Sequence, residues 1–174
     1  MTADDNKKAS SIGFDNIGWL DGLEDDPVDY CAHAHAVAHI GDETFEYEAT
    51  ASATALYLLK SLSEDHLANK EEQFLPCCGF NIFEKNDGSG DVVILGCPNG
   101  IDWDLVHSGD EVIITTDSGA ETVVPFEQYR EEVLAFADKV EAFYDSQPPR
   151  EPAEDDAAAY RAFWEEWHRR RLEA

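Results

Sequence analysis

Positive charge is what this chain has least of: 12 Lys and Arg stand against 38 Asp and Glu in 174 residues, a formal net charge of −26. The summed potential repels phosphate and attracts basic surfaces, which excludes direct nucleic-acid binding as the leading expectation. Long apolar runs are also missing. Nothing approaches the ~18 residues that span a bilayer, and the opening MTADDNKKASS lacks the hydrophobic stretch of a secretory signal. The sequence therefore reads as cytoplasmic, with no membrane partner. Cysteine is sparse, and Cys31, Cys77, Cys78 and Cys97 make no disulfide scaffold. Adjacent Cys77 and Cys78 are a poor framework pair, so reduced thiols are expected. There is no internal repeat and no nucleotide-binding glycine loop, and no cofactor is implied.

What is present is enough to fold. An apolar fraction of 43% with 11% aromatic residues supplies a core, and the length suits one domain. We expect residues 1–13 to be disordered and residues 14–174 to form a single α+β domain that includes a C-terminal helix over 154–171. The charge is uneven: residues 150–174 hold five of the 12 basic and seven of the 38 acidic side chains, so the body carries −24. Solubility needs a net charge of only about 2 to 8 in magnitude for a small domain. The excess fits a cationic partner, or adaptation to high salt, which would show as unfolding when salt is withdrawn.

Asp15 to Asp29 mixes Gly18, Gly22 and Pro27 with six carboxylates and reads as an acidic loop. Cys31 to His39 alternates strictly, which predicts a strand, and Gly41-Asp42 turns it into a second one over Thr44–Ala49. Ala55, Leu56, Leu59 and Leu62 then recur at helical spacing after Ser52. Short β-rich runs follow at Phe80–Glu84, Asp91–Leu95, Asp102–His107, Glu111–Thr116 and Glu121–Val124, separated by Gly-, Asn- and Asp-rich turns that predict an antiparallel meander. Phe126, Tyr129, Val133, Phe136, Val140 and Phe143 mark a helix opened by Pro125. Tyr160, Phe163, Trp164 and Trp167 mark the last one, with an acidic start and the basic end Arg169-Arg170-Arg171. The expected fold is α+β: a mostly antiparallel sheet of six or seven strands with about three helices.

Three groups of residues could carry chemistry. Cys31, His33, His35 and His39 share one face of a strand, with His33 and His35 about 7 Å apart, but a straight row diverges where a Zn site needs convergence. With an inward alanine face the same row needs no metal. Cys77 and Cys78 precede one strand and Cys97 ends the next, so antiparallel pairing brings them near each other. Cys97 with Asp102 and His107 has the residue types of a thiol triad, whereas the Gly and Pro around it fit an ordinary turn. Asp87, Ser89 and Asp91 lack the glycine and glutamate that a calcium loop requires. Asp102-Trp103-Asp104 reads either as an aromatic anchor between carboxylates or as an inward Trp.

The segments LPCCGF, GCPNGIDW and VVPFEQYREEVLAFADKVEAFYDSQPPREPAEDDAAAYRAFWEEWHRR resemble those of small uncharacterised bacterial proteins, over roughly the last 100 residues. In size, acidity and α+β layout the chain is also similar to immunity proteins, which neutralise secreted antibacterial toxins that are often nucleases with basic active sites. That likeness implies an inhibitor of a basic partner and transfers no functional residue. The expectation is an acidic protein-binding domain meeting a basic protein surface, with Glu24, Asp25, Asp26, Asp29, Asp102, Trp103 and Asp104 at the interface. The rival expectation is a small thiol- or metal-dependent enzyme using Cys97 or the His33/His35 row.

Overall fold

The computed structural model describes residues 10–20 and 26–174. Its elements run β1 (Ser10–Gly18), β2 (His33–Ile40), β3 (Glu43–Thr50), α1 (Ala51–Lys60), β4 (Ile82–Glu84), β5 (Val92–Ile94), β6 (Asp104–Ser108), β7 (Glu111–Thr115), β8 (Glu121–Pro125), α2 (Phe126–Ser146) and α3 (Ala157–Glu173). The fold is α+β, with every strand pairing antiparallel. The strands described form three separate sheets, β1-β2-β3, β4-β5 and β6-β7-β8, where one sheet of six or seven strands was expected. No helix among the described residues is long and apolar enough to cross a membrane.

The alternation in β2 decides which side of the first sheet faces inward. Ala34, Ala36, Ala38 and Ile40 are buried, while His33, His35, Val37 and His39 occupy the other face, as a period of two requires. Small alanines leave room for α1 to lie close beneath the sheet. All ten residues of α1 are buried, so this helix is the centre of the core and not a surface helix with one apolar stripe. Leu56, Leu58 and Leu59 are each essentially fully enclosed, worth about 1.5–3 kcal/mol apiece. Helix α1 stops at Lys60, short of the Leu62 that closes its apolar stripe.

Packed against α1 is α2, which buries Tyr129, Val133, Phe136, Ala137 and Val140 and meets the inward face of β1 through Phe14, edge-on to Phe136 at 4.8 Å. Strand β1 corrects two expectations, because its first residues fall in the stretch 1–13 and its last in the supposed acidic loop. Only Ile12 and Phe14 signal its inward face. A register shift between Asp15 and Gly18, with Asn16 at φ 51°, marks a bulge that ends the regular pairing. Gly41, at φ +58° in the β2–β3 turn, supplies the left-handed conformation that a tight hairpin needs.

Candidate functional site

The outer face of the first sheet is a three-strand platform. The register sets Asp15, His35 and Glu48 side by side, then Gly13, Val37 and Glu46, then Ser11, His39 and Thr44. Glu46 and Glu48 are 63% and 81% exposed at their side chains. His35 places Nδ1 2.8 Å from Glu48 Oε1 and Nε2 3.9 Å from Glu46 Oε2. The hydrogen bond to Glu48 is the largest influence on its pKa and raises it, aided by the charges of Glu48, Asp15 and Glu46. His33 goes the other way: burial lowers its pKa against a weaker opposing pull from Asp29, and its Nε2 is enclosed without a partner. His39 bonds Thr44 through Nδ1 at 2.9 Å.

The metal set Cys31, His33, His35 and His39 is not assembled. Cys31 precedes the strand, is buried, and its Sγ lies 3.2 Å from the Gly79 carbonyl oxygen, to which it donates. His35 and His39 are engaged by neighbours on the sheet. The only group of three or more His, Cys, Asp or Glu ligand atoms that converge among the described residues is elsewhere, at Cys77, Cys78 and Cys97.

Of the expected interface residues, Glu24 and Asp25 lie outside the described residues. Asp26 caps a turn by accepting from the Val28 amide at 3.0 Å. Asp29 is buried and accepts from the amides of Leu20 and Cys31 at 3.0 and 3.3 Å. Asp102 accepts from the amides of Phe74 and Asn69 and from His66 Nε2, all at 2.9–3.0 Å. Asp104 accepts from the Ala68 amide at 2.7 Å. Trp103 is 3% exposed and stacks on Phe74 at 4.9 Å, so it is an inward core residue and not a surface anchor. Asp29, Asp102 and Asp104 thus pin irregular backbone, the ordinary need of loops that must satisfy their own amides.

Asp102 also settles the thiol triad. Its carboxylate holds His66, a pairing 36 residues apart that sequence spacing does not flag, while His107 Nε2 lies 2.9 Å from the Ser61 carbonyl oxygen. Neither serves Cys97. The sulfur of Cys97 is instead bonded to Cys77, which corrects the expectation of four reduced thiols. Cys31 and Cys78 remain free. Cys78 Sγ lies 3.3 Å from Cys77 Sγ and 3.6 Å from Cys97 Sγ. The β4–β5 hairpin brings the two cysteine-bearing loops together, as antiparallel pairing implied. Cys77 also lines a cleft of about 600 Å³ with Trp19, His33 and Glu48.

Cationic side chains are largely spent on internal partners. Glu166, 0% exposed on α3, accepts from the Val92 amide at 2.6 Å and sits 3.2 Å from Arg170 and 3.5 Å from Lys60. Arg170 also reaches Glu64 and Asp91, and Arg169 and Lys85 reach Asp91. The cations around Asp91 hold its carboxyl below its usual value despite the opposing effect of burial. Arg171 pairs with Asp138 and Glu141, and Arg130 with Glu127. Arg150 covers the Trp19 ring at 4.0 Å and donates to the carbonyls of Asp26 and Asp29. Beside the network, Lys60, Ser61, Glu64, His66 and Lys85 border a polar cavity of about 300 Å³. No protein family's sequence profile, no curated protein and no solved structure matches the chain.

Proposed function

We propose that this chain is an acidic binding domain of the inhibitor or immunity type, that its partner presents a basic protein surface such as a nuclease toxin's, and that the outer face of β1–β3 is where they meet. The observation that carries this reading is the disposition of charge. Seven cationic side chains, Lys60, Lys85, Arg130, Arg150, Arg169, Arg170 and Arg171, face internal carboxylates, carbonyls or a ring. Glu46 and Glu48 meanwhile project from an open sheet face with the field of the whole chain behind them. Such a field steers a cationic partner and speeds its encounter, and salt weakens it within a Debye length of roughly 8–10 Å.

Val37 and the small residues Gly13 and Ser11 keep the centre of this face low, so a partner's lysines and arginines can lie flat between the carboxylates. Binding is in that case also pH-sensitive, because protonated His35 offsets part of the charge of Glu46 and Glu48. The test is affinity capture from the source cells with the wild-type chain and with Glu46→Lys/Glu48→Lys. A dominant captured protein of basic pI, lost from the double variant, supports the reading. Capture of an acidic protein, or equal capture by both chains, overturns it.

A further inference from the structure

A disulfide needs two cysteines, and this one has a third sulfur against it. We propose that Cys77, Cys78 and Cys97 form a three-thiolate site for one thiophilic cation, Cu⁺ or Zn²⁺, once the Cys77–Cys97 bond is reduced. The inference is independent of the binding reading and rests on the arrangement of the three sulfurs.

A free thiol beside a disulfide has two chemical uses, exchange and metal binding, and geometry separates them. Exchange proceeds by attack along the extension of the S–S bond. An attacking sulfur would then lie nearer one disulfide sulfur than the other by a full bond length, about 2 Å. Cys78 lies 3.3 Å from one and 3.6 Å from the other, so it stands abreast of the bond, off the line of attack. Three sulfurs in a triangle are what a thiophilic ion requires. Zn–S bonds of about 2.3 Å in a tetrahedron set neighbouring sulfurs about 3.8 Å apart. Two edges, at 3.3 and 3.6 Å, are already within about half an ångström of that. Reduction frees the third, and the 6.6 Å between the Cα atoms of Cys77 and Cys97 lets the two sulfurs separate by side-chain rotation alone.

The loops that carry the sulfurs are held by the rest of the fold and do not depend on the disulfide alone. The Pro76 carbonyl accepts from the Thr50 amide at 2.8 Å, and Gly96 donates to the Glu71 carbonyl at 3.1 Å. Leu75 and Ile101 exchange two bonds of 3.0 Å across the same region. Close backbone approach is enforced at Gly79 and Gly100, where a β-carbon would come within 2.4 Å of Thr50 and 2.3 Å of Gln73. Asn99 Nδ2 lies 3.8 Å from Cys97 Sγ, the kind of outer-shell donor that steadies a thiolate. The negative field of the chain adds a general attraction for cations.

The chemistry balances with one co-reactant class. Two equivalents of a small thiol, RSH, convert the Cys77–Cys97 disulfide to two thiols and leave as RSSR, the reaction that a reducing compartment favours. Three thiols then lose their protons to the solution as the metal binds. A three-sulfur set matches trigonal Cu⁺ directly, and for Zn²⁺ it leaves one position to solvent.

The test uses the full chain, reduced with a phosphine under nitrogen, freed of reductant and titrated with Zn²⁺ or Cu⁺ against a chromophoric chelator. We expect one ion per chain in at least one titration, and sulfur-to-metal charge-transfer absorbance when Co²⁺ replaces Zn²⁺. Cys78→Ser, which keeps the disulfide and the fold, should weaken binding in the reduced state by at least about a hundredfold. Retention of Cu⁺ alone identifies the trigonal site, and retention of Zn²⁺ identifies the solvent-completed one. If the reduced chain loses circular-dichroism signal and regains it with one equivalent of metal, the site is supported through its coupling to folding. No retained metal, or equal retention by the unreduced protein or by Cys78→Ser, overturns the proposal.

Discussion

Helix α3 and the outer face of β2–β3 carry the same kinds of charge and put them to opposite uses. On α3, Glu166 is wholly enclosed and meets the Val92 amide, Arg170 and Lys60, so each charge has a partner that water cannot replace. On the sheet, Glu46 and Glu48 stand in solvent beside a single histidine. Net charge alone distinguishes neither region. Burial does, because a buried charge left unpaired is costly whereas exposed pairs contribute little to folding. The negative charge of the chain therefore acts on its surroundings only where the fold leaves it unpaired by cations.

The largest loss of stability is expected at Glu166. Glu166→Gln takes a buried carboxylate from Lys60, which keeps only the Val92 carbonyl, and from Arg170, which keeps Glu64 and Asp91, and urea denaturation should report a loss of about 3 kcal/mol. Next in size is Asp102→Ala, which leaves the Phe74 and Asn69 amides and His66 without their acceptor. We expect a loss of about 2–3 kcal/mol, with amide exchange accelerating in residues 66–74 more than in α1. In contrast, Glu46→Lys/Glu48→Lys should change stability by no more than about 0.5 kcal/mol. If that double variant destabilises the chain as much as Glu166→Gln, the two regions are not different in kind.

The smallest effects concern two histidines on one strand whose contributions to pH dependence carry opposite signs. Burial lowers the His33 pKa, so below its ordinary value near 6.5 the unfolded chain takes up a proton that the folded chain resists, and stability is lost as pH falls. The Glu48 bond raises the His35 pKa, so its contribution is present at low pH and fades as pH rises through the folded value. Denaturation series between pH 5 and 8 should therefore flatten at the acid end in His33→Phe. For His35→Gln the stability difference from wild type should shrink as pH rises.

Much of this fold is legible in the sequence because turns and stripes are local. Asn86 to Gly90, Ser108-Gly109-Asp110 and Asp117-Ser118-Gly119 bracket strands that lie within a few residues of their expected bounds, and the apolar stripe of α2 finds its core face. The miss at β1 has a physical cause: SSIGFDNIG offers only two apolar side chains on its inward face, Ile12 and Phe14, too few for alternation to be read. The division into three sheets depends on long-range packing that turn chemistry does not encode. Of the sites, the approach of Cys97 to Cys77 and Cys78 follows from hairpin pairing, but the disulfide's connectivity does not follow from spacing. The burial of Glu166 and Arg170 is legible too, since they share the i, i+3, i+4, i+7 face of Phe163 and Trp167.

We propose that the exposed carboxylates of the first sheet steer a cationic protein partner. This steering is tested most directly by measuring the association rate with the captured partner as ionic strength is raised from about 50 to 500 mM. The account predicts a steep fall for the wild-type chain, and for Glu46→Lys/Glu48→Lys a slower association with a shallower salt dependence. A rate that is indifferent to salt, or unchanged in the double variant, would contradict it.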